Sequence, residues 1–70
     1  MTNGQALRHE IDDAGISVKH IADKLKCSRN RIYSIINGSD CTASEIVGIT
    51  QILHLDKVKR DHIFLTQKVN

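Results

Sequence analysis

The chain predicts an all-α fold, a compact domain of five short helices, and three observations carry that expectation. Apolar residues recur at helical spacing from Leu7 onward, as the buried stripe of an amphipathic helix does. Short side chains suited to capping, namely Thr2, Ser17, Ser28, Thr42 and Asp56, stand ahead of successive apolar stretches, where their oxygens can accept from otherwise unpaired helical N–H groups. Proline is absent from the 70 residues, and Gly15 and Gly38 fall where two of the stretches end, as left-handed terminators do.

Each element follows from local chemistry. Thr2 is expected to cap the first helix, with Gln5 as its capping-box partner. Leu7, Ile11 and Ala14 mark its inner face, Gly15 ends it and Ile16 tucks inward. Ser17 caps the second helix, whose buried side is Ile21, Ala22 and Leu25. Lys26-Cys27-Ser28 interrupts the pattern, and Ser28 caps a third helix from Arg29 to about Asn37. Thr42-Ala43-Ser44-Glu45 has the capping-box spacing again, ahead of a fourth helix with Ile46, Ile49 and Leu53 inside and Val47 and Ile52 beside them. Asp56 opens a fifth helix, from which Val58 and the Ile63-Phe64-Leu65 cluster pack back. The domain is expected to span residues 1–65, with 66–70 a polar tail that is loose or orders on dimerisation.

Composition narrows the function classes. No apolar run reaches membrane-spanning length and no basic-then-apolar leader opens the chain, so a soluble cytoplasmic protein is expected. Net charge is only +2, but its distribution is uneven. Lys19, Lys24, Lys26, Arg29 and Arg31 lie close together against Asp23, whereas Glu10, Asp12 and Asp13 cluster without a cation. One face should be basic and another acidic. Cys27 and Cys41 form no CxxC pair, and no two of the four histidines have the i, i+4 spacing of a helical metal site. No metal, cofactor or small-molecule ligand is expected, and reduced thiols suit the cytosol. Cys27 should fill the core, while Cys41 falls in a loop where it could be exposed. No serine or cysteine is tied to a histidine by a catalytic motif and no glycine-rich phosphate loop occurs, so an enzyme is not expected.

Residues 17–37 form the distinctive unit. Two short helices joined by three residues must cross steeply, the arrangement of a helix-turn-helix. Ala22 is small where the two helices approach, and Ile21, Leu25, Cys27, Ile32 and Ile35 supply a shared core. Ile21-Ala22-x-x-Leu25, the turn, Ser28-Arg29, Ile32, Ile35 and Asn37-Gly38, followed by Thr42-x-x-Glu45-Ile46 and Leu53, resemble the Cro/repressor helix-turn-helix family of phage and bacterial regulators. The resemblance covers residues 5–65 and implies the λ-repressor-like fold. Three positions depart from it. Lys26 stands where members usually carry glycine, which implies a left-handed lysine at a cost of about 1 kcal/mol. Val18 replaces a frequent glutamine, so only backbone N–H groups remain for a phosphate there. Arg29-Asn30 replaces the common glutamine-rich reader, so the resemblance implies no particular preferred DNA site.

On a helical wheel Ile32, Ile35 and Ile36 face the core, while Asn30, Tyr33 and Ser34 face broadly outward. Arg29 and Asn30, then Tyr33 and Ser34, are the expected contacts to base edges in the major groove of double-stranded DNA. Ser17, Val18, Lys19, Ser28, Arg31, Asn37 and Ser39 are the expected phosphate contacts, with Ser17 and Ser28 capping their helices in any case. The bland reading of Arg29 and Arg31 is a solvated helix end, and that of Tyr33 a ring resting on the surface. The resemblance implies a sequence-specific transcriptional regulator, a Cro-like repressor that occupies a near-palindromic operator as a homodimer. Val47, Ile52, Leu55, Val58 and Phe64 are the expected dimer surface, unless they close the core. Two rivals are weighed: a protein-binding module such as an antitoxin or adaptor, and a DNA-bending or excision accessory factor.

Overall fold

The computed structural model describes residues 2–65. They form five helices and, among the described residues, no strand: α1 (Gly4–Ala14), α2 (Val18–Leu25), α3 (Arg29–Ile36), α4 (Ala43–Leu53) and α5 (Lys57–Phe64). The tail expected over residues 66–70 lies outside the described residues.

Four of the five helix starts follow the local cap chemistry. Ser17, Ser28, Thr42 and Asp56 accept from the N–H groups of His20, Arg31, Glu45 and Lys59. Thr42 and Glu45 close the full capping box, because the Glu45 carboxylate also accepts from the Thr42 N–H at 2.8 Å. The first start is a correction. Asn3, not Thr2, caps α1, its Oδ1 accepting from the Ala6 N–H at 3.2 Å. Thr2 is instead buried, and its hydroxyl donates to the Ser39 carbonyl at 2.8 Å. A tertiary partner thus takes the hydroxyl, and asparagine caps at least as well as threonine. The Asn3 N–H donates to the Ile63 carbonyl at 2.8 Å, tying the start of α1 to α5.

Close approach dictates Gly4, whose added Cβ would run into the carbonyl of Ile36 at the end of α3. Gly15 ends α1 at φ 68°, as its sequence position requires. Lys26 ends α2 at φ 57° and His54 ends α4 at φ 52°, both left-handed without being glycine. Lys26 carries its strain in the turn between α2 and α3, as expected for that position. His54 has a different origin: Leu55 is drawn into the core and Asp56 caps the next helix, so the chain must reverse within one residue.

Leu7, Ile21, Ile32, Ile35, Ile49 and Ile63 are the largest fully buried side chains, and they come from all five helices. α2 packs on α3 and α4, and α1 packs on α3, α4 and α5. Several apolar positions differ from the sequence reading. Ala14 is exposed, since it is the last residue of α1, and Ile16 packs against the core just beyond it. Val58 is 77 % exposed and Leu65 69 % exposed, so neither packs back as expected. At about 100° per residue, Val58 lies about 120–140° around α5 from the buried Ile63 and Phe64. Leu55 and Phe64 are buried and close the core, which removes them from the expected dimer surface. Cys41 is buried rather than exposed in its loop, its sulfur 3.7 Å from the Thr2 hydroxyl, and burial pushes its thiol pKa up. Cys27 is half-buried against the core.

Candidate nucleic-acid interface

Ser28 sets the geometry of α3. Its cap fixes where the helix begins, so Arg29 and Asn30 occupy the first turn. Ile32 and Ile35 are buried, which turns the positions between them outward. Asn30, Tyr33, Ser34 and Asn37 are all exposed. Their i, i+3, i+4, i+7 spacing makes them one polar stripe along the helix and its C-cap. Arg29 is exposed beside the stripe, and Tyr33 is 47 % exposed. Among the described residues, none hydrogen-bonds to the side chain of Arg29, Asn30, Tyr33 or Ser34. Their donors and acceptors face water, ready to exchange it for a ligand at little desolvation cost.

Of the expected phosphate group, Ser28 is taken up as the cap of α3, and the other six residues fall in three places. Ser17, Val18 and Lys19 line one pocket of about 360 Å³ together with Arg29 and Tyr33. The Ser17 hydroxyl is engaged by the His20 N–H at 3.0 Å, while the first N–H groups of α2 have no partner within the helix. Asn37 and Ser39 sit at the far end of α3, both exposed, with the Ser39 carbonyl accepting from Thr2. Arg31, expected at a phosphate, is half-buried and bonded to its own fold. Its Nε donates to Glu45 Oε2 at 2.8 Å, and its Nη2 donates to Glu45 Oε1 at 2.7 Å and to the Asp40 carbonyl at 2.9 Å.

That pair is a strut between the first turns of α3 and α4. Planar guanidinium on planar carboxylate gives two parallel charge-assisted bonds. The Arg31 guanidinium, helped by the Thr42 backbone N–H, holds the Glu45 carboxyl down to about 2. Glu45 in turn raises the Arg31 pKa. With side-chain exposures of 34 % for Arg31 and 17 % for Glu45, the pair is only partly screened by water, so it ties the polar stripe of α3 to α4.

Sequence reading missed Arg8. It lies on the rim of the same pocket as Lys19 and Arg29, from the middle of α1. The i, i+4 spacing of Arg8 and Asp12 was a visible signal that they pair. Its nearness to α2 and α3 needs the fold. A second concavity, about 480 Å³, runs between α4 and α5 and is mainly apolar, with Ile46, Val47, Phe64 and Leu65 among its walls and Arg60 and Asp61 at its edge. Val47 is 55 % exposed there. Among the described residues, no group of three histidine, cysteine or acidic side chains is placed to hold a metal ion, and no helix is long and apolar enough to cross a membrane.

No family model, curated protein or solved structure matches the chain.

Proposed function

We propose that the protein is a sequence-specific double-stranded DNA-binding regulator of the λ-repressor-like helix-turn-helix type, with α2 and α3 as the DNA-binding unit. The observation that carries this reading is the α3 stripe: a capped helix start presenting Arg29 and Asn30, then Tyr33 and Ser34, all outward and without internal partners among the described residues. Arginine suits guanine O6 and N7 and asparagine suits adenine N6 and N7, each bidentate pair discriminating by about 1–3 kcal/mol. Ser17, Val18 and Lys19 at the start of α2, with Asn37 and Ser39 beyond α3, flank the stripe at both ends and suit phosphates. Arg31 acts as the strut that sets the angle of α3, in place of a phosphate contact.

One such helix spans too few base pairs for selectivity in a genome. The protein therefore acts as a homodimer on a near-palindromic site, with half-sites about one helical turn apart. The α4–α5 groove suits the second copy: Val47 and Leu65 expose apolar surface, and Arg60 beside Asp61 gives an edge that is self-complementary under a two-fold axis. Repression follows by occupying an operator in the cytoplasm and excluding another protein from it. The test is selection of random duplexes by the purified protein, followed by titration at several salt concentrations. A two-fold consensus and a salt slope of several phosphates support the reading. Recovery of no sequence, with binding insensitive to salt, would leave the α4–α5 groove as the working surface and favour a protein-binding module.

A further inference from the structure

The pocket where α1, α2 and α3 meet holds one cation that the reading above does not use. Arg8 stands on its rim with Lys19 and Arg29, and Asp12 is the single carboxylate among the lining residues. Ile11, Ile16 and Val18 give it apolar walls, and the first N–H groups of α2 are at hand beside Ser17. Three cations against one carboxylate make the pocket a place for an anion, and the mixed walls suit a sugar next to it. It lies beside the α3 stripe, sharing Arg29 and Tyr33 with it.

Arg8 has an occupation in the free protein. Its Nε lies 3.3 Å from one Asp12 oxygen and 3.4 Å from the other. The two side chains are 51 % and 63 % exposed, and an i, i+4 pair this open to water is held only weakly. A phosphodiester offers the same guanidinium a second, undivided anion.

We infer that this pocket seats a backbone phosphodiester of duplex DNA, and that Arg8 exchanges Asp12 for that phosphate on binding. Asp12 is thereby a built-in attenuator: it competes for Arg8 and repels the incoming phosphate, holding affinity below what the three cations would give. The inference rests on the DNA-binding reading and adds to it a residue of α1 and a setting for affinity.

Full-chain protein and a labelled duplex, titrated at several salt concentrations, test it. Arg8→Gln is expected to weaken binding about three- to tenfold on every duplex sequence and to reduce the salt slope by about one. Arg8→Lys keeps the charge and is expected to restore the slope. Asp12→Asn is expected to tighten binding about two- to fivefold, with the gain shrinking when Arg8→Gln is also present. If the wild-type protein binds duplex with a salt-dependent slope but Arg8→Gln leaves affinity and slope unchanged, or Asp12→Asn brings no gain, the inference is overturned and the DNA reading stands. If the wild-type protein shows no salt-dependent duplex binding, the DNA reading falls and the inference with it. Both positions are exposed, and unchanged thermal melts separate these effects from unfolding.

Discussion

The α3 face and the α4–α5 face are both open to water, yet they differ in kind. The first presents polar side chains on a helix whose start is capped and braced. The second presents Val47 and Leu65 around a mainly apolar groove. Polar groups keep their water until a ligand replaces it, whereas exposed apolar surface gains free energy from any fitting cover. The contrast teaches that a domain this small can divide its surface by chemistry: directional polar groups on one face, non-directional apolar surface on another.

The largest expected effect comes from breaking the apolar face. Val47→Asp combined with Leu65→Asp should abolish the dimer in sedimentation and weaken binding to a two-half-site duplex by about a hundredfold or more. Binding to a single half-site and the melting temperature should change little, because both side chains are already exposed. Tight two-half-site binding by that variant would remove the dimer role from α4–α5.

Breaking the polar face should look different. Arg29→Ala is expected to lose about 1–3 kcal/mol of discrimination at particular base pairs. Asn37→Ala should weaken all sequences alike, by a smaller factor. Competition among single-base variants of the selected site distinguishes the two patterns, and equal behaviour of both variants would contradict the division of roles.

The strut between the faces comes next. Glu45→Gln should cost about 2 kcal/mol of stability at neutral pH, through loss of a charge-assisted pair and weakening of the capping box. The sign with pH follows from a folded pKa of about 2 against an ordinary 4.5. The Glu45 contribution is complete above about pH 4.5 and is lost as pH falls through about 2. Urea unfolding at neutral pH and near pH 2 should therefore show a gap between wild type and variant that closes in acid. A gap of constant size would show that the charge of Glu45 is not what matters.

The smallest effect is expected at the joint. Lys26→Gly relieves a left-handed lysine and should stabilise by less than about 1 kcal/mol, since glycine adds entropy to the unfolded chain. A slight rise in melting temperature with unchanged DNA affinity is the expected result. A changed affinity would show that Lys26 serves the polar face directly.

Four caps were legible because both partners lie within one helical turn. Ser17, Ser28, Asp56 and the Thr42–Glu45 box are side chains bonding three residues ahead. Gly15 was legible too, since it ends a helix where the apolar pattern stops, whereas the left-handed Lys26 was expected only through the resemblance. Thr2 was not, because its hydroxyl bonds Ser39 across the fold and leaves the cap to Asn3. Glu45 was readable as half of a capping box, but nothing nearby in sequence announced that it would also take the Arg31 guanidinium.

The caps of α2 to α5 and the outward stripe of α3 were thus settled by the order of residues, since periodicity and short-range bonds need no distant partner. Which apolar residues stayed outside was decided by assembly: Leu55 and Phe64 went in, Val58 and Leu65 stayed out. So was the meeting of Arg8 with Lys19 and Arg29. Those outcomes depend on how five helices share one small core, and a helix's own pattern does not say which part of its apolar arc a neighbour will cover.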